Sequence, residues 1–157
     1  GRIYISTPYL VPTYQLIDAL RNAALRGVEV HLIVPGIPDK KAVYLVAKSH
    51  FRYLLDAGVN IYIYTPGFNH MKSALADDEL AFVGTINCDY RSLVHHFECG
   101  AVLFKTPCCE DIRKDFDEML IESEQIRAET FTMSRFKVFI CMLIKPFISI
   151  IVSDLKV

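Results

Sequence analysis

Apolar and polar positions alternate over residues 2–6, with Ile3 and Ile5 on one side, the period-two mark of a short buried strand. Thr7-Pro8-Tyr9 turns the chain out of it. Over residues 13–26 the period changes: Leu16, Ile17, Leu20, Ala24 and Leu25 recur at helical spacing, Thr13 stands where an N-cap belongs and Gly27 where a helix stops. Residues 28–34 form a second strand, apolar on both faces at its end and so predicted to lie inside a sheet with helices on both sides. Strand, helix, strand in this order is a right-handed βαβ unit with parallel strands. Pro35-Gly36 and Pro38 make a loop, Asp39-Lys40-Lys41 caps and opens a helix to about Ala57, Gly58 ends it, and Asn60–Tyr64 is a third strand. Residues 72–77 and 80–83 read as an antiparallel pair turning at Asp77-Asp78-Glu79. Residues 97–104 read as a strand in which Glu98 is the lone acid, and residues 107–127 as an amphipathic helix with Ile112, Phe116, Met119, Leu120 and Ile126 inward.

After that helix the pattern shifts. Residues 136–152 hold two apolar runs split by Lys145-Pro146. Each is shorter than the about 20 residues that span a bilayer, and the proline argues against one straight helix. Arg135, Lys137, Lys145 and Lys156 flank the runs and suit anionic headgroups, which favours a segment lying on or dipping into a membrane surface. The alternative is a helix packed on a further part of the protein or on a second chain. The division is a domain over residues 1–128 and an apolar tail over 129–157.

Composition narrows the classes. A chain of 157 residues with 52% apolar residues is one globular domain with a proper core. A net charge of −1 provides no general attraction for nucleic acid. Five cysteines without C-x-x-C spacing read as reduced thiols in a cytosol-facing protein, and Cys88 as a packing residue. The chain opens without methionine and inside a strand pattern, so we read it as part of something longer.

The candidate chemistry lies at His70-Met71-Lys72 and Gly84-Thr85-Ile86-Asn87. Residues two apart on an extended chain face the same side, so His70 and Lys72 project together. A neutral imidazole attacks phosphorus or moves a proton near neutral pH, and an ammonium beside it holds a phosphate oxygen as charge builds there. The turn at residues 77–79 brings the chain back, Gly84 relieves crowding, and Asn87 returns an amide donor to the same place. This is a phosphate clamp around a histidine, with no metal-ligand cluster and no cofactor.

The spacing resembles the HxKxxxxD motif, followed by GxxN, of the phospholipase D superfamily, with His70, Lys72, Asp77, Gly84 and Asn87 at its defining positions. Residues 1–104 as a whole look like the C-terminal half of a bacterial cardiolipin synthase. They do so through Tyr4-Ile5-Ser6-Thr7-Pro8-Tyr9, Pro38-Asp39-Lys40-Lys41, Asn87-Cys88-Asp89-Tyr90-Arg91-Ser92 and Phe97-Glu98. The resemblance implies an α/β fold, a mixed, mostly parallel sheet flanked by helices on both faces, followed here by the apolar helical tail. It implies phosphatidyl transfer between two phosphatidylglycerol molecules, giving cardiolipin and glycerol through a phosphohistidine.

Two histidines are needed, so the second motif must come from a missing half or from a homodimer. His70 is then the general acid–base partner, with the nucleophile as second choice. Lys72 and Asn87 hold non-bridging oxygens, and Asp77 belongs to the signature although its turn position favours support of the fold. Glu98 matches the family's glutamate and is expected to orient the histidine; an ion pair with Arg or Lys is the alternative. Tyr9 reads equally as cleft rim or packing. Lys40 and Lys41 read as headgroup contacts or a solvated turn, Asp89 and Arg91 as a structural pair, and His95 and His96 as rim or packing. The implied location is the cytoplasmic face of a bacterial cell membrane. A phospholipase D hydrolase, a single-motif homodimeric nuclease and a non-catalytic lipid-binding module stay open as rivals; the charge argues against a nucleic-acid groove.

Overall fold

A computed structural model describes residues 1–154. The first strand, β1 (Arg2–Ser6), is not at an edge: it pairs in parallel with β3 (Glu29–Pro35) on one side and antiparallel with β5 (Ser73–Ala76) on the other. Between β1 and β3 run the two-residue β2 (Leu10–Val11) and helix α1 (Tyr14–Leu25). The Thr13 hydroxyl accepts the Leu16 amide at 3.3 Å, and Gly27 closes the helix at φ 87°, both as the pattern predicts. Helix α2 (Lys41–Leu55) and strand β4 (Asn60–Tyr64) repeat the crossover, with β4 parallel to β3. Asp39 does not cap α2. The N-cap position is Lys40, without a side-chain bond, because the Asp39 carboxylate is engaged by the Tyr9 hydroxyl.

The parallel centre β1-β3-β4 is extended by antiparallel strands on both flanks: β5, β6 (Leu80–Gly84) and β8 (Gly100–Phe104) on one side, β9 (Ser123–Ile126) on the other. A separate parallel pair joins β2 to β7 (Cys88–Asp89). The β5–β6 turn places Asp77 and Asp78 at φ 52° and 58°, both left-handed, with the Glu79 amide closing on the Ala76 carbonyl at 3.1 Å. Aspartate tolerates that conformation, and this is the turn sense that suits a twisted hairpin.

Two strands differ from expectation. The predicted strand at 97–104 begins only at Gly100, so Glu98 precedes it. Gly84 and Gly100 face one another, and a Cβ on Gly100 would meet the Phe82 ring at 2.3 Å. Helix α3 (Cys108–Ile121) ends earlier than predicted because β9 follows and pairs with β4.

The sheet separates two cores. Val30, Leu32 and Val34 face α1 and α2 with Phe51 and Leu54, while Ile33, Tyr4 and Leu75 face Phe116 of α3. This two-sided burial explains why β3 is apolar on both faces. On the α3 side the His31 ring stacks between Tyr4, at 4.8 Å, and Tyr62, at 5.8 Å. A third, smaller core joins Val43 and Val46 of α2 to Cys141 and Ile148 of α4 (Arg135–Asp154).

Helix α4 corrects the sequence reading of the tail. Both apolar runs belong to one helix that continues through Lys145 and Pro146. A proline removes one backbone donor but does not forbid a helix whose packed side is held along its length, here by Cys141 and Ile148 against α2. Lys156 lies outside the described residues.

Candidate active site

Parallel strands deliver loops at their carboxyl ends, and ligands gather there. Beyond β1 the chain presents Tyr9; beyond β3 it presents Asp39 and Lys40. The Thr7 hydroxyl ties this corner to the second half of the motif: it accepts the Cys88 amide at 3.0 Å and donates to the Tyr9 carbonyl at 3.0 Å. Together with the β2–β7 pair, that clamp carries Asn87 back to the end of β1.

His70 and Lys72 stand on an extended lead-in just before β5. Asn69 pins the lead-in, donating to the Ser6 hydroxyl at 3.0 Å and accepting the Met71 amide at 2.9 Å. The Gly84 amide donates to the Lys72 carbonyl at 3.2 Å, so the segment already follows the sheet's line. His70, Lys72 and Asn87 line one open cavity of about 240 Å3, together with Tyr9, Lys40, Asp89, Arg91, Ser92, His96 and Glu98.

The His70 ring stands edge-on to Tyr9 at 6.4 Å and tilted on Phe68 at 5.3 Å. Burial, then the Lys72 ammonium, lowers its proton affinity below the ordinary histidine value, against a weaker pull from Asp39. The ring is therefore neutral at neutral pH, the form that attacks or accepts a proton. The Lys72 ammonium donates to the His70 carbonyl at 2.7 Å. Burial lowers its pKa as well, with the Glu98 and Asp89 carboxylates opposing. Asn87 donates to the Ser92 hydroxyl at 3.2 Å, and its carboxamide oxygen is buried without a partner.

Burial raises the Asp89 pKa, against the Ser92 amide that donates to its carboxylate at 2.7 Å. Burial also acts to raise Glu98, but hydroxyls of Thr85 and Ser92 and the charges of His96 and Arg91 outweigh it and hold the carboxyl below its usual range.

Glu98 departs from the orienting role drawn from the sequence. The Glu98 carboxylate accepts from the Thr85 hydroxyl and lies 3.5 Å from Nδ1 of His96, so in this structure it orients His96 rather than His70. Its start in a loop, ahead of β8, sets that geometry. Asp77 sits at the other end of β5 from His70. Its carboxylate accepts the Arg2 amide at 2.7 Å and holds the hairpin turn against β1, outside the residues that line the cavity.

Tyr9 proves to be a lining residue. Burial first, then its bond to Asp39, raises its hydroxyl pKa, so it stays a neutral donor. Lys40 lines the cavity with its ammonium 5.6 Å from the Tyr9 ring centroid, whereas Lys41 lines a different surface hollow with Tyr44. His96 lines the cavity and meets the Arg91 guanidinium at 2.9 Å; His95 turns the other way, against Tyr90 at 5.2 Å. The sequence reading gave no role to Asn69, Thr85 or Ser92. Their only signal was polarity beside the motif. Among the described residues no group of three His, Cys, Asp or Glu side chains is placed to hold a metal ion.

The fold and this cleft define a phospholipase D-like domain. The model described as "Cardiolipin synthase, PLD-like domain" matches residues 1–120, and the chain belongs to that family. It is 53% identical over 128 residues to an uncharacterized protein of Streptococcus mutans, covering 82% of this chain and 28% of that one. It is 42% identical over 133 residues to cardiolipin synthase 2 of Bacillus anthracis, covering 85% of this chain and 26% of that enzyme. The chain thus spans about a quarter of the length of these relatives. Among solved structures, phosphatidylserine synthase of Haemophilus influenzae superposes with a TM-score of 0.72 at 17% identity, over 99% of this chain and 41% of that one, a likeness of fold.

Proposed function

We propose that this chain supplies one half of the active site of a cardiolipin synthase. The reaction joins two phosphatidylglycerol molecules into cardiolipin and glycerol. The observation that carries this reading is the convergence of His70, Lys72 and Asn87 on one cavity in a member of this family.

One imidazole attacks the phosphodiester phosphorus. A P–N bond forms, the bond to the departing glycerol oxygen breaks, and a second, protonated imidazole gives that oxygen its proton. The glycerol hydroxyl of another phosphatidylglycerol then attacks phosphorus, returns a proton to the second imidazole and releases the first. We assign His70 the acid–base role. Its neutral resting ring is ready to take the hydroxyl proton, and the anionic phosphodiester raises its proton affinity when bound. Lys72 and Asn87 hold the non-bridging oxygens, where a preorganised donor acts on developing charge. The nucleophilic histidine comes from a second copy of the motif, in the same protein or in a partner chain.

The same reading puts the protein at a membrane surface. Phe136, Phe139, Leu143 and Phe147 form an exposed stripe along the outer side of α4, the arrangement of an interfacial helix. No helix among the described residues is long and apolar enough to cross a membrane.

The test is His70→Ala in the intact protein supplied with phosphatidylglycerol, products resolved by thin-layer chromatography. Loss of cardiolipin by at least about 10³-fold is expected. Appreciable cardiolipin from the variant would remove the role given to His70, and phosphatidic acid from the unaltered protein would make it a hydrolase.

A further inference from the structure

A second hollow is larger than the cleft. It measures about 840 Å3, within the about 300–1,000 Å3 of small-molecule sites, and opens between α4 and the body of the domain. Its walls are mainly apolar: Val11, Tyr14, Val138, Cys141 and Met142. It lies back to back with the catalytic cleft, and one segment is the wall between them. Asp89, Arg91, Ser92 and His96 face the cleft, while Tyr90 and His95 face the hollow. Residues Arg91–His95 of this wall form a π-helical turn, an uncommon conformation found often at functional sites.

We propose that this hollow holds an acyl chain of the phospholipid whose phosphodiester occupies the cleft. The inference rests on the phospholipid reading above and adds to it the place of the hydrocarbon. Three observations argue for a chain rather than a compact polar ligand. The larger part of the wall surface is apolar, and Met142 adapts to a flexible ligand. The crevice joining the two spaces, between Tyr9, Val11, Asp89 and Tyr90, is only about 10 Å3, so a chain enters over the part-exposed Tyr90 rim rather than through the wall. Thr13, Gln15, Ser49, His50, His95 and Lys145 add polar groups to the wall, and two of these residues hold unused donor capacity. His50 has a buried Nε2 with no partner, and the Lys145 ammonium lies 5.0 Å from the Tyr14 ring centroid with no ion pair among the described residues. An ester carbonyl at the head of a hydrocarbon chain gives such donors an acceptor and gives the walls an apolar filling.

The experiment is photo-crosslinking of the intact protein in vesicles containing phosphatidylglycerol with a diazirine midway along one acyl chain. Adducts are expected on peptides spanning residues 11–14 and 138–145; adducts elsewhere only, such as at the exposed β8 edge, overturn the proposal. Val138→Trp, which narrows the hollow, should lower adduct yield. It should also reduce the preference in kcat/KM for long-chain over short-chain phosphatidylglycerol by about tenfold, the effect of denying a chain about two buried methylene groups. Equal loss on both substrates, in a variant whose melting temperature is unchanged, overturns it. If Val138→Trp does not fold, Ser49→Phe narrows the same space from the α2 side and is held to the same result. A diazirine fatty acid that labels the hollow and is not displaced by phosphatidylglycerol would also overturn it. If the unaltered protein turns over no phospholipid while the α4 adduct still forms, the catalytic reading falls and the chain site stands.

Discussion

His70 and His31 have the same chemical tendency and opposite consequences. Burial is the first cause that lowers the proton affinity of each ring. His31 sits in an aromatic stack on the α3 side of the sheet, with both ring nitrogens buried and without hydrogen-bond partners. His70 stands beyond the carboxyl ends of the parallel strands, on an open cavity with an ammonium and a carboxamide. A depressed pKa therefore does not mark a site by itself. What marks the candidate site is an open cavity shared with a cation and an amide, groups able to bind a phosphate.

This contrast can be broken by exchanging the roles. Lys72→Met, assayed for cardiolipin formation, should lower kcat/KM by about 10²–10³-fold, since it removes a donor aimed at developing charge. It should also move the basic limb of the pH profile upward, toward the ordinary histidine value, because the role given to His70 begins with a proton on its ring. The Lys72 ammonium is the second contributor to the lowered His70 pKa, and its loss lets the ring protonate at higher pH.

A third histidine gives a test on stability alone. Burial, with Lys145 adding to it, pushes His50 down to about 4 from the ordinary histidine value of 6.5. The unfolded chain binds this proton below about pH 6.5 and the folded chain does not, so the contribution is full above 6.5 and is lost as pH falls toward 4. At about 1.4 kcal/mol per pH unit the loss is about 3 kcal/mol. Urea unfolding across that range should show the slope, and His50→Gln should flatten it.

His31→Ala should cost about 1–3 kcal/mol by removing two aromatic contacts and a buried ring, read as a fall in melting temperature, with turnover retained. Turnover lost at full stability would place His31 in the chemistry and erase the comparison. The smallest effect belongs to Asp77→Asn. Asparagine also tolerates the left-handed turn and keeps an acceptor for the Arg2 amide, so stability should fall by less than about 1 kcal/mol with turnover within a few-fold. A loss as large as that of Lys72→Met would restore Asp77 to the cleft.

Features with local causes were legible in the chain. Thr13, Gly27 and Gly58 mark helix ends through backbone geometry that each residue sets for itself, and the paired aspartates mark a turn of definite sense. The histidine and lysine of the motif were legible because spacing of two on an extended chain fixes their side. Long-range arrangements were not legible. The β2–β7 pair, the clamp from Thr7 to Cys88 and the pairing of β9 with β4 each join residues far apart, and no period within a segment announces them. Glu98 shows the same limit. That a lone acid near an apolar strand needs partners was evident, but whether Thr85 and His96 or His70 would meet it depended on where β8 begins. Pro146 was misread because the packing that carries α4 through it lies on α2.

The central place of β1 governs the order in which this domain assembles. Its opening amide is closed by Asp77, 75 residues later, and its β5 flank stays unpaired until the motif hairpin has been made. On the ribosome, β1 and β3 can pair early, but the nascent sheet keeps one raw edge while α2 and β4 are made. The segment that brings His70 also seals that edge, so closure of the parallel centre and arrival of the candidate ring are a single folding event.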